Sequence, residues 1–160
     1  MQKDIYKRKR KKYMTQKVLL TLQGLQTDLS GEDAGRIETV ANGDYYKKND
    51  KHYVLYEEVT EGFSQPTKNR LKFGEDMVEL SRSGLVSVRM LFQENKKNLT
   101  NYNTPFGQIL MGIDTKKIQV AEREECITVE VDYTLEINDE FLSDCHMKIS
   151  ICSENNSSPF

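Results

Sequence analysis

A chain of 160 residues and 18.6 kDa has the size of one domain, because chains usually divide only well beyond about 150 residues. Hydrophobic residues make up 37% and charged residues 30%, with no Trp, a lean composition that still supplies a core and so excludes a chain disordered throughout. No apolar run approaches the roughly 20 residues of a membrane-spanning helix, and the basic N-terminus lacks the apolar stretch and small-residue cleavage site of a signal peptide, so a transmembrane segment is excluded and a cytoplasmic location is expected.

The chain opens on a charge imbalance. Residues 1–17 hold eight Lys or Arg against Asp4, a local charge of +7, while the other 143 residues carry fifteen basic and twenty-four acidic side chains, a charge of −9. The unbroken run Lys7, Arg8, Lys9, Arg10, Lys11, Lys12 repels itself, so residues 1–15 are expected to be a disordered extension. Such a run is either a solvated tail or a contact for RNA, the ribosome or another anionic partner, held through phosphates and weakened by salt. If translation also starts at Met14, the extension is absent from the product.

From Gln16 to Cys152 the pattern is that of strands. Apolar residues alternate in Val18, Leu20, Leu22, then in Val86, Val88, Met90, Phe92, then in Ile109, Met111, Ile113. The longest case runs from Ile127 through Val129, Val131, Tyr133 and Leu135 to Ile137, with polar residues between, and Cys145, Met147, Ile149, Ile151 follow it. No stretch repeats apolar residues at helical spacing over three turns. Turn chemistry separates the runs at Ser30-Gly31, Asn42-Gly43, Asn49-Asp50, Phe73-Gly74, Ser83-Gly84, Pro105-Phe106-Gly107 and Asn138-Asp139. That spacing predicts about eight to ten antiparallel strands, closed or nearly closed into a single all-β barrel over 16–152, with 153–160 as a polar tail.

A barrel of about eight strands has room for packed side chains or one small ligand, so the polar groups that point inward carry the functional question. Strand parity puts Arg82 on a face with Val78 and Leu80, Glu57 with Tyr53 and Leu55, and Asn69 with Leu71. With Tyr102 and Tyr133 these residues form the candidate ligand-binding lining: Glu57, Asn69, Arg82, Tyr102 and Tyr133. A buried carboxylate and guanidinium must pair with each other or with a bound molecule, since burying either alone costs several kcal/mol. A bulge or a one-residue slip would turn Glu57 outward and bring in Glu58, together with Val54 and Tyr56.

Taken in order and spacing, Gly43-Asp44-Tyr45-Tyr46, Tyr53-Val54-Leu55-Tyr56-Glu57-Glu58, Arg82-Ser83-Gly84, Tyr102-Asn103-Thr104-Pro105-Phe106-Gly107 and Asp132-Tyr133-Thr134-Leu135 resemble the YwiB-like family of small bacterial proteins, calycin-like β-barrels. The resemblance covers roughly residues 16–152. It implies a lipocalin-like barrel in a bacterial cytoplasm and hands over no catalytic residue. The basic extension, residues 1–13, departs from the family pattern, and the Gly-x-Trp signature of secreted lipocalins is missing, so kinship with those carriers is one of fold alone.

Catalytic chemistry finds little support. His52 and His146 stand in no metal-ligand spacing; neither cofactor nor metal is expected, and nucleotide loops and the hydrolase elbow are absent. Cys145 and His146 are strand neighbours that point to opposite faces, whereas Asp144 and His146 share the outer one. Three cysteines without a C-x-x-C spacing fit reduced thiols better than a disulfide scaffold. Two readings follow: a non-enzymatic binder of a small polar or amphipathic ligand, or an interaction module whose basic tail does the binding on a filled barrel. Neither enzymatic activity nor oligomeric state is decided by the sequence.

Overall fold

A computed structural model describes residues 16–27, 33–59, 61–62, 64–84 and 87–154. They form ten strands: β1 (Gln16–Thr27), β2 (Asp33–Lys48), β3 (Lys51–Glu58), β4 (Thr67–Phe73), β5 (Met77–Ser83), β6 (Val88–Gln93), β7 (Lys97–Thr104), β8 (Gly107–Glu122), β9 (Cys126–Ile137) and β10 (Glu140–Ser153). All pairings are antiparallel, in the order β6-β5-β4-β3-β2-β1-β10-β9-β8-β7. The two end strands, β6 and β7, meet where Ser87 and Asn103 exchange backbone bonds of 3.0 and 2.9 Å and where the Asn98 amide donates to the Leu91 carbonyl at 3.1 Å. One sheet therefore curls into a nearly closed barrel.

Local chemistry sets the corners. Asn49-Asp50 and Asn138-Asp139 are two-residue loops with φ of 52° and 63°, and of 50° and 66°, the mirror-image turn geometry that Asn and Asp tolerate and that matches the twist of paired strands. The first joins β2 to β3, the second β9 to β10. Bulges interrupt β8 between Thr115 and Lys117 and β10 between Phe141 and Ser143. The β8 bulge is held by the Glu94 carboxylate, which accepts from the Ile118 amide at 2.7 Å. It moves the inward set from Met111 and Ile113 to Ile118.

The period-two residues are the core. Val18, Leu20, Leu22, Val88, Phe92, Met111, Ile113, Val129, Val131, Cys145, Met147, Ile149 and Ile151 are buried, joined by Val54, Leu71, Phe73, Val78 and Leu80. Burying each large side chain contributes roughly 1.5–3 kcal/mol before ordering entropy is subtracted. Phe92 meets the Tyr133 ring edge-on at 4.9 Å, so the middle of the barrel is packed.

Three expectations are corrected. Asn42-Gly43 is not a turn but lies within β2, paired with Leu19 and Val18 of β1. β3 buries His52, Val54 and Tyr56, and Glu57 points outward; the Asn49-Asp50 hairpin pairs Tyr45 with Val54, so the inner face of β2 dictates that of β3. The cysteines are not three thiols: Cys126 and Cys152, opposite each other on β9 and β10, form a disulfide, and Cys145 is free and buried. Lys7–Lys12 and the polar C-terminal residues 155–160 lie outside the described residues.

Candidate functional site

The barrel wall opens at the end that carries the β1–β2 hairpin. β2 pairs with β3 only from Gly43 to Lys48, whereas Asp33–Asn42 pair with β1 alone among the described residues. Gly43 is the last point of close approach: a Cβ there would lie 2.9 Å from Val54 Cγ1 and 3.1 Å from the Leu55 carbonyl oxygen. Beyond it the strands part, leaving an open cleft of about 1050 Å³. Ala41, Tyr56, Glu58 and Asn69 reach it from the inner face, and Val40, Leu55, Glu57 and Lys68 from the outer face, as expected of a gap that passes through a sheet.

A polar row crosses the inner face beside this gap. Register places Tyr56 against Asn69 and Asn69 against Arg82, and Arg82 against Val88; the Ser87–Asn103 bridge sets Tyr102 next in line. The Asn69 amide donates to Glu58 Oε1 at 3.0 Å, and Arg82 Nη1 lies 3.8 Å from the same oxygen. Asn69 and Tyr56 are only 3% and 4% exposed, yet Asn69 Oδ1 and Tyr56 Oη find no hydrogen-bond partner among the described residues. Each such orphan costs roughly 1–3 kcal/mol, which a bound group can return. Burial pushes the Tyr56 phenol up to about 12, with Arg82 opposing and Glu58 adding, so it is a neutral hydroxyl.

The structure thus brings Asn69 and Arg82 together and sets half-buried Tyr102 in their row. Glu58 stands where the sequence places Glu57, which lines the cleft from outside. Tyr133 belongs elsewhere: it pairs with Thr115 on β8, while Tyr102 pairs with Ile109, so the two tyrosines are roughly 20 Å apart along that strand at about 3.3 Å per residue. Its ring fills the core beside Phe92, and burial raises its phenol far above the ordinary range.

A second constellation, at the opposite end, escapes the sequence reading. His52, 6% exposed, lies 2.8 Å by Nδ1 from the Tyr45 hydroxyl and 3.1 Å by Nε2 from the Glu122 carboxylate, with its ring stacked on Phe73 at 4.6 Å. Burial lowers the His52 pKa, Lys47 acts with it and Glu122 against it. A neutral ring satisfies both contacts, with Tyr45 O–H donating to Nδ1 and Nε2–H donating to Glu122. Since β1, β10 and β9 separate β2 from β8, this chain of bonds closes the barrel end from wall to wall. Parity could have found Tyr45 and His52, but nothing in the sequence points to Glu122.

The outer face holds ordinary pairs. Glu79, buried beneath two arginines, accepts from Arg70 at 2.8 Å and from Arg89 at 2.6 and 3.1 Å. His146 bonds Asp132 at 2.6 Å, while Asp144 accepts from Thr134 at 3.0 Å, so the shared face of Asp144 and His146 makes no dyad. Among the described residues no group of three His, Cys, Asp or Glu is placed to hold a metal, and no helix is long and apolar enough to cross a membrane.

Known proteins extend the picture. The family model described as "Domain of unknown function (DUF1934)" matches residues 20–149. The uncharacterized beta-barrel protein YwiB of Bacillus subtilis (strain 168) is 30% identical over 112 residues, 68% of this chain and 78% of YwiB. The crystal structure of the ywiB protein from Bacillus subtilis superposes with a TM-score of 0.76 at 23% identity, covering 91% of this chain and 97% of that one. Strand order, barrel closure and these matches agree, and the chain belongs to the DUF1934 family of YwiB-like β-barrel proteins.

Proposed function

We propose that this protein is a non-enzymatic binder of a small polar or amphipathic molecule, held in the cleft between β2 and β3 at the hairpin end. One observation carries the reading: two buried polar atoms, Asn69 Oδ1 and Tyr56 Oη, are left without partners among the described residues, on side chains that line an open cleft. Buried polar groups are nearly always paired, and binding sites are where the exceptions have a use. The packed middle of the barrel, with Phe92 against Tyr133, favours a ligand at the rim over one on the axis. Native mass spectrometry on full-length protein, purified gently from its own cells, tests this. An added mass of roughly a few hundred daltons, the scale a cleft of this kind holds, is expected, and Asn69→Leu should lose it. A bare mass for both proteins overturns the proposal.

The charge run Lys7–Lys12 favours a second reading, in which this segment binds RNA or another polyanion. Deleting residues 1–13 then removes a salt-sensitive association and leaves the cleft ligand in place.

A further inference from the structure

The geometry points to an aliphatic ammonium, a primary amine or short polyamine, as the ligand class of this cleft; the inference rests on the reading that the cleft binds a small molecule. The buried orphan has a direction. Asn69 Nδ2 is fixed as the donor to Glu58 Oε1 at 3.0 Å, since the reversed amide would set oxygen against oxygen. Its Oδ1 is therefore a buried acceptor that lacks a donor among the described residues. Beside it, Glu58 takes one hydrogen bond from Asn69, and Arg82 stays beyond bonding distance at 3.8 Å, so a carboxylate with about four lone-pair sites has room for more. Tyr56 Oη, held protonated, has an oxygen that can accept as well.

Charge points the same way. Of the ionic groups around the cleft, Arg70 is engaged by Glu79 and Asp44 by Lys17. Glu38 and Glu57 have no ion pair among the described residues, and with Glu58 they leave three carboxylates against Lys68 and the guanidinium of Arg82. That balance of three carboxylates to two cations, with the buried acceptor beside it, favours a cation over a carboxylate or phosphate. An ammonium offers three donors and no acceptor, which is the complement of this set. The shape suits a chain behind that ammonium: Val40, Leu55 and Val59 are 58%, 39% and 83% exposed along the same cleft, a wall for methylene groups.

Calorimetric titration of the full chain with putrescine, n-butylamine and butyrate separates the cases. Putrescine and butylamine should saturate one site and butyrate should not. Glu58→Gln, nearly isosteric and partly exposed, should weaken amine binding about tenfold, the scale of one charge-assisted hydrogen bond, and Asn69→Leu should do the same. Asp132→Asn, on the outer face of β9, should change nothing. Binding that Asp132→Asn weakens as much as Glu58→Gln is general surface attraction and overturns the site. Saturation by butyrate with silent amines overturns the ligand class while the cleft remains a binding site. The ligand class also falls, and the cleft stands, if no probe binds and native mass spectrometry finds a retained compound without an amine. With silent probes and a bare native mass, the cleft reading itself falls.

Discussion

Tyr45→Phe should destabilise the barrel more than Glu122→Gln, although each removes or alters one bond to the same imidazole. Among the described residues the phenol is the only partner that His52 Nδ1 has, at 2.8 Å, and the ring is 6% exposed. Removing the hydroxyl leaves a buried acceptor unsatisfied, at roughly 1–3 kcal/mol, or about 3–8 °C in melting temperature for a domain of this length. The Glu122 side chain is 55% exposed and Gln keeps an accepting oxygen, so that change should cost about 0.5 kcal/mol at neutral pH. The pH dependence reverses the emphasis. His52 has its pKa lowered from 6.5, first by burial and then by Lys47, with Glu122 opposing. The unfolded imidazole takes its proton at higher pH than the folded one, so this contribution is intact above 6.5 and is lost as pH falls below it. Without the Glu122 charge the folded ring resists protonation further, and the acid loss should steepen in Glu122→Gln and flatten in His52→Phe. Urea midpoints at pH 7.5, 6.5 and 5.5 measure all four proteins. A Tyr45→Phe midpoint equal to wild type, or a Glu122→Gln profile no steeper than wild type, refutes the wall-to-wall bridge.

Phe92→Ala removes a fully buried ring that packs edge-on against Tyr133 and should cost about 3–5 kcal/mol in urea unfolding. Reducing Cys126–Cys152, whose partners lie 26 residues apart, should lower stability by about 3 kcal/mol; thiol alkylation after unfolding without reductant should count one reactive cysteine, Cys145. At Glu79 burial alone would raise the carboxyl, but the Arg89 and Arg70 hydrogen bonds outweigh it and hold it below the usual range. Removing both arginines should therefore destabilise by about 3 kcal/mol or more, because a buried carboxylate is left alone, whereas Glu79→Gln should cost clearly less, its two arginines being exposed to water. Equal midpoint shifts in the two variants contradict that asymmetry.

Much of the fold was legible because two local signals agree. The period-two runs name the inward residues of β1, β8, β9 and β10, and Asn49-Asp50 and Asn138-Asp139 name hairpins at the only loops, among the described residues, where two successive non-glycine residues take positive φ. What failed depends on register. On β3, Tyr53-Leu55 and Val54-Tyr56 are equally apolar, so alternation alone offers two faces and pairing with β2 chooses one. The disulfide fails for the same reason in sharper form. Ile137 opposes Glu140 at the β9–β10 turn, and a regular ladder from there sets Glu125 against Cys152. The bulge between Phe141 and Ser143 shifts the pairing by one residue and sets Cys126 there.

The candidate site shows why polar residues inside a barrel are harder to read than apolar ones. A valine on the inner face is explained by its burial, whatever surrounds it. Asn69 is explained only by its neighbours: one side of its amide is answered by Glu58 and the other by nothing among the described residues, and both facts belong to β3 and β4 in register with one another. Had β2 followed β3 past Gly43, Asn42 and Ala41 would have paired with Glu57 and Glu58, and the sheet would have left no gap beside Tyr56 and Asn69. The length mismatch between β2, sixteen residues, and β3, eight, therefore does more for the site than any single side chain in it. It leaves the polar row beside an open cleft instead of enclosing it within the sheet.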